Sequence, residues 1–449
     1  MRNGRLLAWC TLGGSAIVGL GAAATAWAAA GDAHPRPGLV LFGLAVLVVA
    51  AKLGGLVAER WGQPSVLGEL LVGIGLGNLL PPLFGSTGIA FVRSDPALAT
   101  LAEMGVLILL FDVGLEADLR ALAKVGPSST LVAAIGVVVP FGLGWGSAAW
   151  LLPQSPPLVH VFIGATLTAT SVGITVRLLK DLGATQSLEG HIVLGAALLD
   201  DVLGLMILAI VGGMITAAAG GTALSGWAIA AILLKALLFL AASAGLGRVL
   251  SGPIVRGVGR TGQPGILLVV GLALCFALAY VAELIGLAAI VGAFAAGILL
   301  DPYGQGVRTR AEEATLSELL RPLSSLFVPL FFVVMGIQVH LGSLADPSAL
   351  GLSFLLVACA IAGKLACGLG VVQPNVSRLV VGVAMIPRGE VGLIFAGIGA
   401  SLTLHGQPIL AQSAFSAIVV MVVITTLVTP IGLQWAFRRT TRRAKGTPR

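Results

Sequence analysis

Two adjacent aspartates, Asp200 and Asp201, interrupt the run Leu194-Gly195-Ala196-Ala197-Leu198-Leu199-Asp200-Asp201-Val202-Leu203-Gly204-Leu205, which is otherwise apolar. A charged side chain at a bilayer centre costs about 2.5–3.5 kcal/mol on insertion scales, so two in a row imply a task. Consecutive helix positions point about 100° apart. One carboxylate can then face a water-filled cavity while the other faces a neighbouring helix. Lys364, in Ala362-Gly363-Lys364-Leu365-Ala366, is equally isolated and needs a counter-ion, which either Asp200 or Asp201 can supply. A free aspartate titrates near ~3.9 and a free lysine near ~10.4, but burial disfavours both charged forms, so a buried pair can carry protons near neutrality. A static salt bridge tying two helices together is the competing reading. The second aspartate weighs against it, because an extra buried carboxylate is costly and packing does not need it.

Two other segments could meet a cation. Thr170 and Ser171 offer hydroxyls and, where a helix unwinds, carbonyls that can replace water around a hard ion such as Na⁺. Ser and Thr are also common at helix contacts in lipid. Arg388 and Glu390, in Ile386-Pro387-Arg388-Gly389-Glu390, either touch the ion path or satisfy the loose backbone of a broken helix. Lys52 and Lys235 read as snorkelling or packing residues. Asp112 and Glu116 read as the cytoplasmic end of a span, and Glu69, Glu103 and Glu283 only weakly as an ion route. His191 and the other histidines read as interfacial. Cys10, Cys275, Cys359 and Cys367 have neither metal-ligand nor disulfide spacing and read as small hydrophobes. No cofactor is implied.

The elements that must position these groups follow from composition. The chain has 449 residues, 57% hydrophobic and 10% charged, against roughly 25% charged in a soluble domain. Too few polar groups exist to wet a globule, and apolar runs of about 20 residues recur from residue 37 to 437. The fold class is an all-α polytopic membrane protein of about 13 transmembrane helices. Spans are expected near 37–58, 65–80, 97–117, 128–150, 158–179, 190–213, 226–248, 264–282, 285–300, 322–340, 347–371, 379–403 and 411–437. The 62 glycines suit close helix packing in lipid, and the 22 prolines suggest broken helices.

Charge supports an orientation rather than nucleic-acid binding. Of 26 Lys+Arg against 19 Asp+Glu, Arg438, Arg439, Arg442, Arg443, Lys445 and Arg449 form a basic tail over 438–449. Arg60, Arg120, Lys124, Arg177, Lys180, Arg248, Arg256, Arg260, Arg308, Arg310 and Arg378 fall on the tail's side, and only Arg36 and Arg93 oppose them. The tail is then cytoplasmic and the mature N-terminus outside. Residues 1–30 have the layout of a signal peptide, with Ala26-Trp27-Ala28 as the cleavage site, or form an extra helix.

Six spans lie on each side of 226–248, and the fifth in each half is polar and interrupted, at Thr168–Gly173 and at Ile386–Glu390. Six spans joined through one odd span give inverted repeats, and paired interruptions point to a binding site at the midplane.

Thr168-Ala169-Thr170-Ser171-Val172-Gly173-Ile174-Thr175, Gly195-Ala196-Ala197 running into Asp200-Asp201-Val202-Leu203-Gly204, Gly363-Lys364, and Pro387-Arg388-Gly389-Glu390-Val391-Gly392-Leu393-Ile394 together strongly resemble bacterial sodium/proton antiporters of the monovalent cation:proton antiporter-2 family. The likeness covers roughly residue 37 to the end. It implies a homodimer in the cell inner membrane, with a dimerisation scaffold over 37–117 and 264–340. A mobile core over 125–213 and 347–437 would be joined to it by a linker helix at 226–248. It implies two crossed discontinuous helices, one with Thr170 and Ser171 and one with Arg388 and Glu390. It makes Asp201 the main carboxylate for Na⁺ or Li⁺ and H⁺, and Asp200, itself a possible ion ligand, the partner of Lys364. The aspartate pair and lysine resemble those of electrogenic exchangers, which move more protons than sodium ions per cycle. The leader lies outside the likeness, and the cytoplasmic nucleotide-sensing domain of related potassium-efflux systems is not expected. The rivals are K⁺/H⁺ exchange on the same fold, a cation channel, and an intramembrane protease, whose aspartates should sit on two different helices.

Overall fold

The computed structural model describes residues 37–84, 95–117, 126–184, 187–219, 226–260, 263, 265–301, 307, 314–342, 347–404 and 406–445. The expected leader at 1–30 lies outside the described residues, as do Arg36, Arg93, Arg120, Lys124, Arg308, Arg310 and Arg449 and the side chains of Arg177 and Lys180.

The described chain is helical apart from one short hairpin. In order the helices are α1 (Pro37–Arg60), α2 (Ser65–Phe84), α3 (Pro96–Glu116), α4 (Pro127–Leu151), α5 (Pro157–Thr166), α6 (Val172–Asp181), α7 (Leu188–Ala219) and α8 (Gly226–Arg260). There follow α9 (Ile266–Leu284), α10 (Ala289–Leu300), α11 (Leu316–Gln338), α12 (Pro347–Leu365), α13 (Arg378–Ala384) and α14 (Glu390–Ser401). Strands β1 (Thr403–Leu404) and β2 (Gln407–Pro408) precede α15 (Gln412–Lys445). Proline opens α1, α3, α4, α5 and α12, where its missing N–H would have had no intrahelical partner.

Among the described residues nine helices are long and apolar enough to cross a membrane, and Ser65–Leu79, Pro157–Thr166, Ala289–Leu300 and Val391–Ser401 are shorter apolar helices. Both polar fifth spans are split. Leu167–Ser171 separates α5 from α6, and Met385–Gly389 separates α13 from α14. The boundaries differ elsewhere too. The helix expected to end near 248 continues through Pro253 to Arg260. The last helix runs on to Lys445, so the basic tail is helical over residues 438–445, with the Arg439 guanidinium 5.3 Å from the Trp435 ring centre.

The described residues divide into two compact units, one within 37–105 and 326–341, the other within 106–325 and 342–445. In the first, α1 packs along α2. Asn78 ties α2 to the end of α11: its Nδ2 donates to the carbonyls of Ile74 and Val339, each at 2.8 Å, and its Oδ1 accepts from Leu341 N at 2.8 Å. Glu69 is buried on α2 in the field of Lys52 and Glu59 on α1.

In the second unit α4 packs against α5, α7 and α12, and α15 packs against α12, α13 and α14. Their shared core includes Val132, Val193, Ala197, Cys367, Val381 and Leu433. Alanines interleave with valines and larger aliphatic side chains there, and helices in lipid gain stability by such close packing rather than by escaping water. The result is a rigid frame around the middle of α7, where the two aspartates lie.

Candidate ion site

Asp200 and Asp201 sit near the middle of α7, and the helical phase separates them. Asp200 is 1% exposed, whereas Asp201 is only partly buried and does have interaction partners. Lys364 lies one residue before the end of α12 and is fully buried. Its Nζ donates to Asp200 Oδ1 at 3.0 Å and Oδ2 at 3.2 Å. Both carboxylate oxygens are thus engaged by one ammonium, a charge-assisted contact between two side chains buried away from bulk solvent.

A third helix makes room for this pair. A Cβ on Gly136 of α4 would lie 2.9 Å from Cys367 Sγ, 3.3 Å from Lys364 Nζ and 3.6 Å from Asp200 Oδ1. Only a residue without a side chain lets the α4 backbone approach so closely. Cys367 follows in the 3-10 turn Ala366–Gly370, and its thiol points back to Gly363 O at 4.0 Å.

The two breaks meet each other. Ser171 N donates to Pro387 O at 2.9 Å, Thr175 Oγ1 to Ala384 O at 2.9 Å, and Arg388 Nη1 to Ala169 O. A Cβ on Gly389 would lie 2.6 Å from Ser171 Oγ, so glycine permits the crossing. Each break exposes carbonyls at the end of one half-helix and N–H groups at the start of the next. Arg388 answers the carbonyl end of α5, where a cation is favoured by the helix dipole. Its guanidinium is fully buried and also feels the charges of Asp200 and Lys364.

Not every polar group at the joint finds a partner among the described residues. Among them, Thr170 Oγ1 and Arg388 Nε and Nη2 are buried with no hydrogen-bond partner. Unpaired buried polar atoms are costly; a hydroxyl oxygen such as Thr170 Oγ1 can face a cation, whereas the Arg388 N–H groups can only donate. Ser171 is fully buried and bonds Ile174 N at 3.5 Å through its Oγ. Glu390 is the first residue of α14, and its side chain lies outside the described residues.

Of the residues singled out in the sequence, the structure joins Asp200 to Lys364 directly and Ser171 to the Pro387–Gly389 segment. The weaker candidates stand elsewhere. Asp112 accepts from Ser317 Oγ at 2.7 Å in the field of Arg321. Lys235 is exposed and reaches Ile285 O at 3.5 Å, and Glu103, Glu283, His191 and Lys52 are exposed. Gly136, Thr175 and Thr426 were not singled out. The last donates to Arg388 O at 2.6 Å from α15. A Thr-Thr pair inside an apolar run was its only trace in the sequence.

Such an arrangement can hold a small cation or protons. Among the described residues no three His, Cys, Asp or Glu side chains group as a resident metal site.

Residues 45–439 match the family model described as sodium/hydrogen exchanger, transmembrane. The chain is 37% identical over 430 residues to the high-affinity Na⁺/H⁺ antiporter NhaS3 of Synechocystis, covering 89% of this chain and 90% of that one. It is 33% identical to the Na⁺/H⁺-K⁺ antiporter GerN of Bacillus cereus, covering 88% of this chain and 96% of GerN. Among solved structures, the sodium proton antiporter MjNhaP1 of Methanocaldococcus jannaschii superposes with a TM-score of 0.63 at 15% identity, covering 90% of this chain and 99% of that one. At that identity the likeness is one of fold.

Proposed function

The chain belongs to the sodium/hydrogen exchanger family, and on that premise we propose that it exchanges Na⁺ or Li⁺ for H⁺ across a membrane by alternating access. It is a multi-pass monovalent cation:proton antiporter, a secondary transporter rather than an enzyme. One observation carries the finer reading: a fully buried Asp200–Lys364 pair, next in sequence to a partly buried Asp201. Asp201 takes the cargo ion or a proton in turn, while Asp200 holds Lys364 and is a possible second ligand. Thr170 and Ser171 line the path at the break, and Arg388 and Glu390 support it. Both ions are cargo, and no cofactor takes part.

The rest of the reading follows the hydropathy pattern, the loop charges and the resemblance. Thirteen crossings in inverted six-helix repeats put the two ends on opposite sides, and the loop charges assign the C-terminus to the cytoplasm and the mature N-terminus to the outside of the inner membrane. A homodimer is held by residues 37–117 and 264–340, and residues 125–213 and 347–437 move against that scaffold through the linker helix that begins at Gly226. Unequal proton and sodium numbers make the cycle electrogenic, each net charge being worth about 2.3 kcal/mol per 100 mV.

Purified protein in vesicles with an imposed proton gradient tests this. Added Na⁺ or Li⁺ should dissipate the gradient at a rate that changes with imposed voltage, and K⁺ should not. A preference for K⁺ would favour the rival exchanger. Cation current with no proton movement would identify a channel.

A further inference from the structure

Apart from Gly389 O, which accepts from Leu393 N at 3.3 Å, the link between α13 and α14 has no helical ladder to absorb its carbonyls, and carbonyls buried in a membrane protein need donors. Three at this break have donors from outside it. Ala384 O accepts from Thr175 of α6 at 2.9 Å and Pro387 O from Ser171 N at 2.9 Å. Arg388 O accepts from Thr426 Oγ1 of α15 at 2.6 Å, in a contact where Thr426 is 3% exposed and Arg388 not at all.

The third contact differs in what it holds. Arg388 is the residue whose guanidinium reaches across to Ala169 O on the opposite break and acts on Asp200 and Lys364. Its backbone is therefore the pivot from which a buried positive charge is aimed. The other hydroxyls on this stretch of α15 do nothing comparable: Thr425 Oγ1 bonds back to Met421 O at 2.8 Å and Thr429 Oγ1 to Thr425 O at 2.6 Å. Such back-bonding is ordinary for threonine in a helix.

We infer that Thr426 is a positioning residue of the ion site: its hydroxyl anchors the Arg388 carbonyl, and so sets where the Arg388 charge lies relative to the Asp200–Lys364 pair and the carbonyls of the first break. α15 thereby takes part in ion recognition without touching the ion. Losing the hydroxyl leaves a buried acceptor unpaired, and the link can turn to find another donor, moving the guanidinium with it.

This rests on the antiport reading, and the test separates the two. Sodium-dependent proton flux is measured in vesicles for the wild type, Thr426→Val, Thr426→Ser and Thr425→Val. Loss of one hydrogen bond of ordinary net strength predicts that Thr426→Val raises the apparent KM for Na⁺ roughly three- to ten-fold, with a smaller change in maximal rate. Thr426→Ser should return KM to within about two-fold of wild type, and Thr425→Val should leave it there. If Thr426→Val fails to fold, Thr426→Ala against Thr426→Ser makes the same comparison. A wild-type KM in a folded hydroxyl-less variant overturns the inference, as does equal impairment in Thr426→Ser or Thr425→Val. A wild-type protein without sodium-dependent proton flux overturns the antiport reading and this inference with it.

Discussion

Lys364 Nζ lies 3.0 Å from Asp200 Oδ1 with neither side chain exposed, so each charge is the other's main compensation. Breaking such a pair from one side leaves an uncompensated buried ion, which costs about 3–5 kcal/mol, whereas replacing both partners is far milder. Lys364→Gln should therefore lower the thermal midpoint sharply, and Asp200→Asn combined with Lys364→Gln should recover most of the loss. Exchange by Lys364→Gln or Lys364→Ala should be voltage-independent or largely lost. A double variant no more stable than Lys364→Gln alone would show that the pair is not what holds these helices.

Asp201, one position along α7 and only partly buried, carries the opposite expectation. Asp201→Asn preserves shape and removes the exchangeable charge, so exchange should vanish while the thermal midpoint changes little. Competition also sets a sign with pH. If one carboxylate holds either Na⁺ or H⁺, lowering the pH raises the apparent KM for Na⁺ and leaves the maximal rate nearly untouched. Electrogenic exchange surviving in Asp201→Asn would remove Asp201 from the mechanism.

The different surroundings of Asp200 and Asp201 show where sequence reasoning stops. Asp200, Asp201 and Lys364 were legible because a charge in an apolar span is expensive, and the breaks because polar runs and the Pro387-Arg388-Gly389 sequence interrupt the helical pattern. Which aspartate meets Lys364 was open from the residues alone, since it depends on how α7 is rotated relative to α12, and no single-helix periodicity encodes that. Gly136 was invisible among 62 glycines, because its importance lies in what a neighbouring helix brings to 3.3 Å from its absent Cβ. The length of α8 was missed for a related reason: past residue 248 the chain carries Gly252, Pro253, Gly257 and Gly259 beside Arg256 and Arg260, which read as a loop, yet it continues as helix to Arg260.

Gly136 gives a steric prediction. Gly136→Ala places a methyl 2.9 Å from Cys367 Sγ and 3.3 Å from Lys364 Nζ, and overpacking of this kind costs about 1–3 kcal/mol. Adding Cys367→Ala removes the tighter clash, so most of the stability should return in the double variant. Sodium flux should recover less than stability does, because the ammonium stays crowded. Equal recovery of both, followed by thermal unfolding and vesicle assay on the same preparations, would mean that the space beside Lys364 is not needed for transport.

Gly389 tests the crossing of the breaks in the same way, with the outcome read as stability. An alanine Cβ there would lie 2.6 Å from Ser171 Oγ and 2.9 Å from Ser171 Cβ, and the Ser171 N to Pro387 O bond of 2.9 Å leaves the two links little freedom to part. Gly389→Ala should thus destabilise by about 1–3 kcal/mol. Ser171→Gly removes the two atoms nearest the added Cβ, and at a helix start the loss of the cap itself costs only a few tenths of a kcal/mol when glycine replaces serine. Combining the two substitutions should therefore restore most of the thermal midpoint. Flux is not expected to follow, since Ser171 is proposed to line the ion path. If the double variant is as unstable as the sum of the singles, the links are not in contact at these residues, and Arg388 loses the crossing from which it reaches Ala169.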